Sequence, residues 1–396
     1  MGKNIILKNS IGENVLYENV GTIVLKDSNR QDLSISVDDT WKPNPTWWDI
    51  KTILENDTRD YAYKIAYLFK NTKSSESGLN LNGQAYATSD GAFYETSSLT
   101  HTWDLSKDKP CYIDGKEAYK TRYVIVYSNS LLKTRYSQKN VLYFYGLNTS
   151  GQTNLSTSFQ DYYLLENTPE LDFDVGTNLS NAFQYCYSLK KFPNIHTRNV
   201  SNMTNMFTYC YSLAEALDID ASSATTLSGM FNTCNGLQRV SWKNTSQVTN
   251  TNTMFQSCSS LKSVDNLDMI NVTSASGMFT NCKSLTDLKL KNIKVSGLTI
   301  GSTSSFGEML TIDSLVNTIK ELWDFSTSGL SKSLTIGNEN ISKLSNVYVR
   351  VIEPTEEMIE DDTYIQDKKP CEVCESTDDG AMLILDYATL KGWTIS

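Results

Sequence analysis

The chain carries eight cysteines and two histidines, and their spacing decides what chemistry is open to them. Cys186, Cys210, Cys234, Cys258 and Cys282 lie 24 residues apart. If the chain coils with that period, the five thiols stand in one file. Parallel Cβ vectors and an odd number then argue against disulfides, and each thiol acts as a small hydrophobe. Cys371 and Cys374 form a lone C-x-x-C; with no second pair and only His101 and His196 besides, no zinc or redox site is expected. His101 lies near Asp104 and Asp108, but its Thr-His-Thr-Trp-Asp run lacks a paired nucleophile and reads as structural. The pairs Glu356-Glu357 and Asp361-Asp362 fall in an acidic stretch that reads as solvated loop. No phosphate-binding glycine loop appears. The expectation is a protein that is not an enzyme, with no catalytic residue, cofactor or metal; a glycan-cleaving site using Asp104 and Asp108 is the enzymatic alternative.

The cysteine file belongs to a larger period. Phe183, Phe207, Phe231, Phe255 and Phe279 keep step with it, as do Leu189, Leu213, Leu237, Leu261 and Leu285. Each unit reads Met-Phe-x-x-Cys-x-x-Leu, with Ala182 replacing Met in the first. The i, i+3 spacing of Phe and Cys suits a helical turn, and alternation at Val240 and Trp242 or Leu288 and Leu290 suits a strand. One short helix and one strand per unit are expected. Links such as Asn199-Val200-Ser201-Asn202 and Asn271-Val272-Thr273-Ser274 supply turns through side chains that bond the local backbone. A single unit cannot stand alone. Ordering its backbone costs about 1–2 kcal/mol per residue, whereas each buried apolar side chain returns only about 1.5–3 kcal/mol. Units must therefore stack and share a core.

The run Asn202-Met203-Thr204-Asn205-Met206-Phe207-Thr208-Tyr209-Cys210-Tyr211-Ser212-Leu213 resembles the BspA-type leucine-rich repeat, and the likeness covers residues 178 to 295. It implies an α/β solenoid of five 24-residue units, with the fifteen Phe, Cys and Leu residues above as its core. The family's solenoids serve surfaces, in bacterial adhesins and in phage or prophage proteins, and imply no catalysis.

The flanks divide into a β-rich segment, 1–40, an aromatic-rich α+β domain, 41–170, the solenoid proper, 171–300, and a C-terminal cap, 301–396. Lys3 to Leu7, Val15 to Tyr17 and Thr22 to Leu25 read as strands, and this opening is similar to the N-terminal segment of phage tail-associated and structural proteins. Trp48, Ile50, Ile53 and Leu54, then Tyr61, Ile65, Leu68 and Phe69, predict two short amphipathic helices. Asp90-Gly91 and Asp114-Gly115 mark hairpins. Twenty-two of the 42 aromatic residues fall between 41 and 163, enough for either a sheet core or an interface, and the core reading is preferred. Tyr162 and Tyr163 are placed to staple this domain to the repeats. Beyond Val295, apolar spacing predicts a helix over Thr311 to Phe325 and a strand over Ser333 to Ile336, broken from the Leu390 to Ile395 end by an acidic insert, 350–385. Together these ends are similar to the C-terminal portion of leucine-rich-repeat proteins encoded in phages and prophages.

A net charge of −10 disfavours nucleic acid and anionic lipid as partners. No apolar run is long enough to span a membrane, and the N-terminus lacks a signal-peptide pattern. The reading is a non-enzymatic phage virion structural protein, tail-fibre-like or head-decorating. Residues 1–170 would dock to other virion proteins and the solenoid would face a host cell-surface protein or glycan. Homo-oligomerisation is compatible with this, although no heptads specify a number. The alternative is a bacterial cell-surface adhesin of the same repeat family.

Overall fold

Tyr63, Ile65, Tyr67 and Phe69 alternate with Lys64, Ala66, Leu68 and Lys70, a period of two inside a stretch that also fits a helical spacing. The computed structural model makes it a strand. Its described residues are 5–8, 14–17, 24–26, 32–34, 48–61, 63–70, 75–79, 84–104, 109–113, 116–128, 141–145, 147, 149, 151–168, 171, 173–193, 195–300, 310–328, 330–353 and 370–396. The chain forms two units, Met1–Thr46 and Trp47–Ser396. Within the first, Ile5–Lys8 pairs with Asn14–Tyr17 and Val24–Lys26 with Asp32–Ser34, both antiparallel. Among the described residues the architecture is mostly β, in several small sheets with few helices and no closed barrel.

In the second unit one sheet runs Val141–Tyr145, Tyr63–Lys70, Lys116–Ser128, Lys109–Ile113, Trp48–Asp49. Only the first of the two expected helices forms, as Ile50–Glu55. Tyr63–Lys70 is a strand because both of its faces are covered: Ile65 and Tyr67 join the large core, while Ala66 and Leu68 pack with Ile50 in a smaller one. A strand buried on both sides reads as an unbroken apolar run that spacing alone cannot tell from a helix. Both hairpins form as expected, Ala85–Thr88 with Phe93–Tyr94 and Lys109–Ile113 with Lys116–Ser128. Tyr67, Tyr86, Tyr127 and Phe144 are buried, so these aromatics serve the core.

From residue 154 onward, segments 24 residues apart lie one on the next. Glu215–Asp220, Arg239–Asn244, Ser263–Asp268 and Asp287–Lys291 form a parallel sheet in which Ala216, Val240, Val264 and Leu288 are register partners. A second file of parallel bridges links Asn154, Asn178, Asn202, Thr226, Asn250 and Ser274. The phenylalanines stack at centroid spacings of 4.9, 5.5, 5.6, 5.8 and 5.6 Å from Phe159 through Phe183, Phe207, Phe231 and Phe255 to Phe279. Phe144 of the sheet stacks on Phe159 at 5.0 Å, so one core joins sheet and repeats. A unit therefore precedes those legible in sequence, and the expected boundary at 170/171 falls inside it. Tyr162 fills its cysteine position and hydrogen-bonds Tyr67, which makes it the staple expected between the two regions.

Among the described residues the repeats hold no helix, and the expected α/β unit is corrected by the backbone hydrogen bonds. Leu179, Asn181, Phe183 and Tyr185 donate their N–H groups to Asn202, Thr204, Met206 and Thr208 of the next unit at 2.9 Å. The alternate residues Ala182, Gln184 and Cys186 donate within their own unit, three residues back, to Leu179, Asn181 and Phe183 at 3.0–3.2 Å. A helix would need every N–H to point along its own axis. Here every second one points along the stack, so each unit is a chain of β-turns and no buried donor in this run is orphaned. Left-handed residues make this geometry: Asn181, Tyr185, Asn205, Tyr209, Gly229, Thr233, Thr253, Ser257, Gly277 and Asn281 have φ between +51° and +66°.

At the C-terminal end helices return. Ile312–Lys320 is capped by Thr311, whose hydroxyl accepts the Ser314 N–H at 3.2 Å, and it packs on Asp287–Lys291. Leu298–Thr299, Lys332–Thr335 and Trp393–Ile395 form a parallel sheet, so the expected helix and strand are both present. Tyr348–Val351 pairs with Cys371–Cys374 and Met382–Leu383. Glu356-Glu357 and Asp361-Asp362 lie outside the described residues. Cys371 and Cys374, three apart on a strand, point to opposite faces, one buried and one half-exposed.

Candidate functional site

The fifteen repeat residues are all buried and set the frame on which any outward site is held. Each Cys has a second duty that its burial alone hides. Its thiol donates to the carbonyl of a Phe 27 residues earlier: Cys186 to Phe159, Cys210 to Phe183, Cys234 to Phe207, Cys258 to Phe231 and Cys282 to Phe255, at 3.0–3.2 Å. The carbonyls of Phe183 to Phe255 also accept the N–H of the Cys in their own unit, so both lone pairs are used. Burial pushes every one of these thiols up, Cys282 to about 12, which leaves no thiolate for nucleophilic or metal chemistry near neutral pH. The links behave as their composition predicts: Asn178, Asn202 and Asn250 each accept at Oδ1 from the N–H two residues on, at 3.0 Å.

His101 is buried, and its partner is Asp90 in the hairpin turn. Nε2 meets the Asp90 carboxylate at 2.9 Å, and Nδ1 meets the Tyr94 hydroxyl at 2.9 Å. Asp90 also accepts from the Thr88 hydroxyl at 2.6 Å and the Asp104 N–H at 2.8 Å. Burial raises the Asp90 pKa, but the bonds from Thr88, Asp104 and His101 outweigh it and hold the carboxyl below its usual range. Asp104, named from sequence as the histidine's neighbour, enters through its backbone; Asp108 lies outside the described residues. The Trp103 ring edge closes over His101 at 4.8 Å. The cluster pins the 88–92 turn to Leu99–Thr102. His196 sits on the surface with Asp174 at 2.6 Å. Among the described residues no group of three metal-ligating side chains occurs, and no helix is long and apolar enough to cross a membrane.

Outward-facing chemistry concentrates in a panel of tyrosines that sequence reasoning passed over. Tyr163, Tyr187 and Tyr211 stack at 4.7 and 5.0 Å, with ring planes within 20°. Tyr185 and Tyr209 form a second file at 5.0 Å. The two files meet edge to face, Tyr185 with Tyr187 at 6.2 Å and Tyr209 with Tyr211 at 6.1 Å. Partial burial and the neighbouring Tyr163, Tyr211, Tyr185 and Asp161 raise the Tyr187 pKa, so the phenol stays neutral. The signal was available: Tyr-Cys-Tyr occurs in two successive units, at 185–187 and 209–211. By contrast the outer face of the parallel sheet carries mixed charges in surface pairs, Glu215 with Arg239 at 3.7 Å and Asp265 with Lys289 at 2.7 Å. Such pairs read as a solvated face.

A family model described as Mycoplasma protein of unknown function, DUF285, matches residues 177–293. The match falls on the stacked units and on the stretch that resembles the BspA-type repeat. No curated protein and no solved structure matches the chain.

Proposed function

We propose that the 24-residue units form a BspA-type leucine-rich-repeat solenoid, and that the chain is a non-enzymatic structural protein of a phage particle, tail-fibre-like or head-decorating. It displays this surface to a host cell-surface protein or glycan. The observation that carries the reading is the unbroken file of rings from Phe144 to Phe279, which fixes the solenoid to the preceding sheet through one core. A surface held on such a frame presents side chains in fixed geometry, and that lowers the entropic cost of binding. The region before the solenoid docks to other virion proteins. Mass spectrometry of purified particles should recover this polypeptide at a copy number comparable to other structural components, and antibody against residues 177–293 should block adsorption. Particles that lack the polypeptide would end the proposal.

A bacterial cell-surface adhesin is the second reading, favoured by the bacterial description of the matching family. Fractionation separates the two: an adhesin tracks with the envelope in cells free of active prophage.

A further inference from the structure

We infer that the tyrosine panel is a binding site for a neutral carbohydrate chain, an inference that rests on reading the solenoid as a binding surface and gives that surface its ligand. The panel occupies only the first three stacked units. Where the files would continue, the chain has Thr233, Ser257 and Asn281 on one side and Asn235, Ser259 and Lys283 on the other. The longer file therefore ends at Tyr211, which is 40% exposed. Beyond it come Asn235 and Gly236, whose backbone approaches so closely that a Cβ on Gly236 would lie 2.4 Å from the Tyr211 carbonyl oxygen. No aromatic ring follows Tyr211 in the file, and its exposed part is the free end of the panel.

The rings elsewhere in the panel face one another, so they present edges and hydroxyls outward at steps of about 5 Å. That arrangement suits a sugar chain. The C–H face of a pyranose stacks on the Tyr211 ring, and its hydroxyls exchange hydrogen bonds with phenols that both donate and accept. Protein hot spots, by contrast, favour enclosed and fully desolvated pockets. Charge narrows the class further. The charged group acting on Tyr187 is Asp161, which repels phosphate and carboxylate.

The test is affinity electrophoresis of the full chain through gels containing mannan, dextran or xylan. At least one should retard the protein, and Tyr211→Ser and Tyr187→Ser should each weaken the apparent affinity about tenfold. Tyr348→Ser, on the C-terminal antiparallel sheet, should leave it unchanged. All variants should keep the parent Tm within a few degrees, which separates lost binding from lost folding. Migration unaffected by every polysaccharide, or retardation that survives both substitutions, would overturn the inference. Adsorption to host cells that resists periodate but not protease would also overturn it, in favour of a protein ligand, while leaving the display role standing. Absence of the chain from particles would sink the display role without touching a measured retardation.

Discussion

Replacing Phe231 by Ala removes the middle ring of the file. Phe231 is fully buried, stacked on Phe207 at 5.6 Å and Phe255 at 5.8 Å, with the Trp242 ring at 6.4 Å against its edge. Lost burial and the cavity left behind cost about 3–5 kcal/mol. Each stacked partner accounts for about 0.5–1.5 kcal/mol of such a loss, so the upper part of that range is expected. Among the described residues Phe279 ends the file and stacks on Phe255 alone. Phe279→Ala should therefore cost less by one ring pair, about 0.5–1.5 kcal/mol. Urea unfolding followed by far-ultraviolet circular dichroism measures both, read as a midpoint shift at constant slope. A cost below about 1 kcal/mol for Phe231→Ala, or one no larger than for Phe279→Ala, would refute the shared-core reasoning.

Cys234→Ala deletes both a buried sulfur and the donor to the Phe207 carbonyl, and should cost about 1–3 kcal/mol in the same assay. Iodoacetamide should label the five repeat thiols only in denaturant, since burial keeps them protonated in the fold; rapid labelling of the native protein would contradict this. Asp90 has a lowered folded pKa, so the stability it supplies is complete above its unfolded value near 3.8 and is lost as pH falls through the lower folded one. Asp90→Asn should flatten the acid limb of a Tm-versus-pH profile below pH 4, and an unchanged limb would count against the cluster. Thr253 holds a left-handed position, φ +51°, that Asn181 and Asn205 occupy in other units. Thr253→Asn should stabilise by about 0.5–1 kcal/mol, and a lowered Tm would show that its methyl matters more than its backbone.

The stacking was legible in sequence because one core shared by all units demands the same side chain at the same step, and Phe, Cys and Leu repeat without exception from Phe183 to Leu285. What escaped had local causes. A turn with one left-handed residue brings Phe and Cys together across the same three-residue spacing as a helix, and only the recurrence of Asn or Gly at 181, 205, 229 and 277 distinguishes the two. The first unit was hidden because Tyr162 stands where Cys is expected and bonds outward to Tyr67. Tyr63–Lys70 misled through burial on both faces. His101 was read beside Asp104 and Asp108, but its partner Asp90 comes from a turn eleven residues away that only the fold brings near. Outward tyrosines carry no burial signal, and the repeated Tyr-Cys-Tyr at 185–187 and 209–211 was their one trace in the sequence.

Deleting one whole period is the most direct test of the architecture on which the functional account rests. Removing residues 226–249 joins Thr225 to Asn250, which is the bridge partner of Thr226, so Phe207 would meet Phe255 and every file would close again. This variant should unfold in one cooperative thermal transition by circular dichroism and keep the parent's spectral shape. Removing only residues 226–237 shifts the files by half a period, and that protein should lose the transition. Equal behaviour of the two deletions, or collapse of the full-period one, would contradict the account.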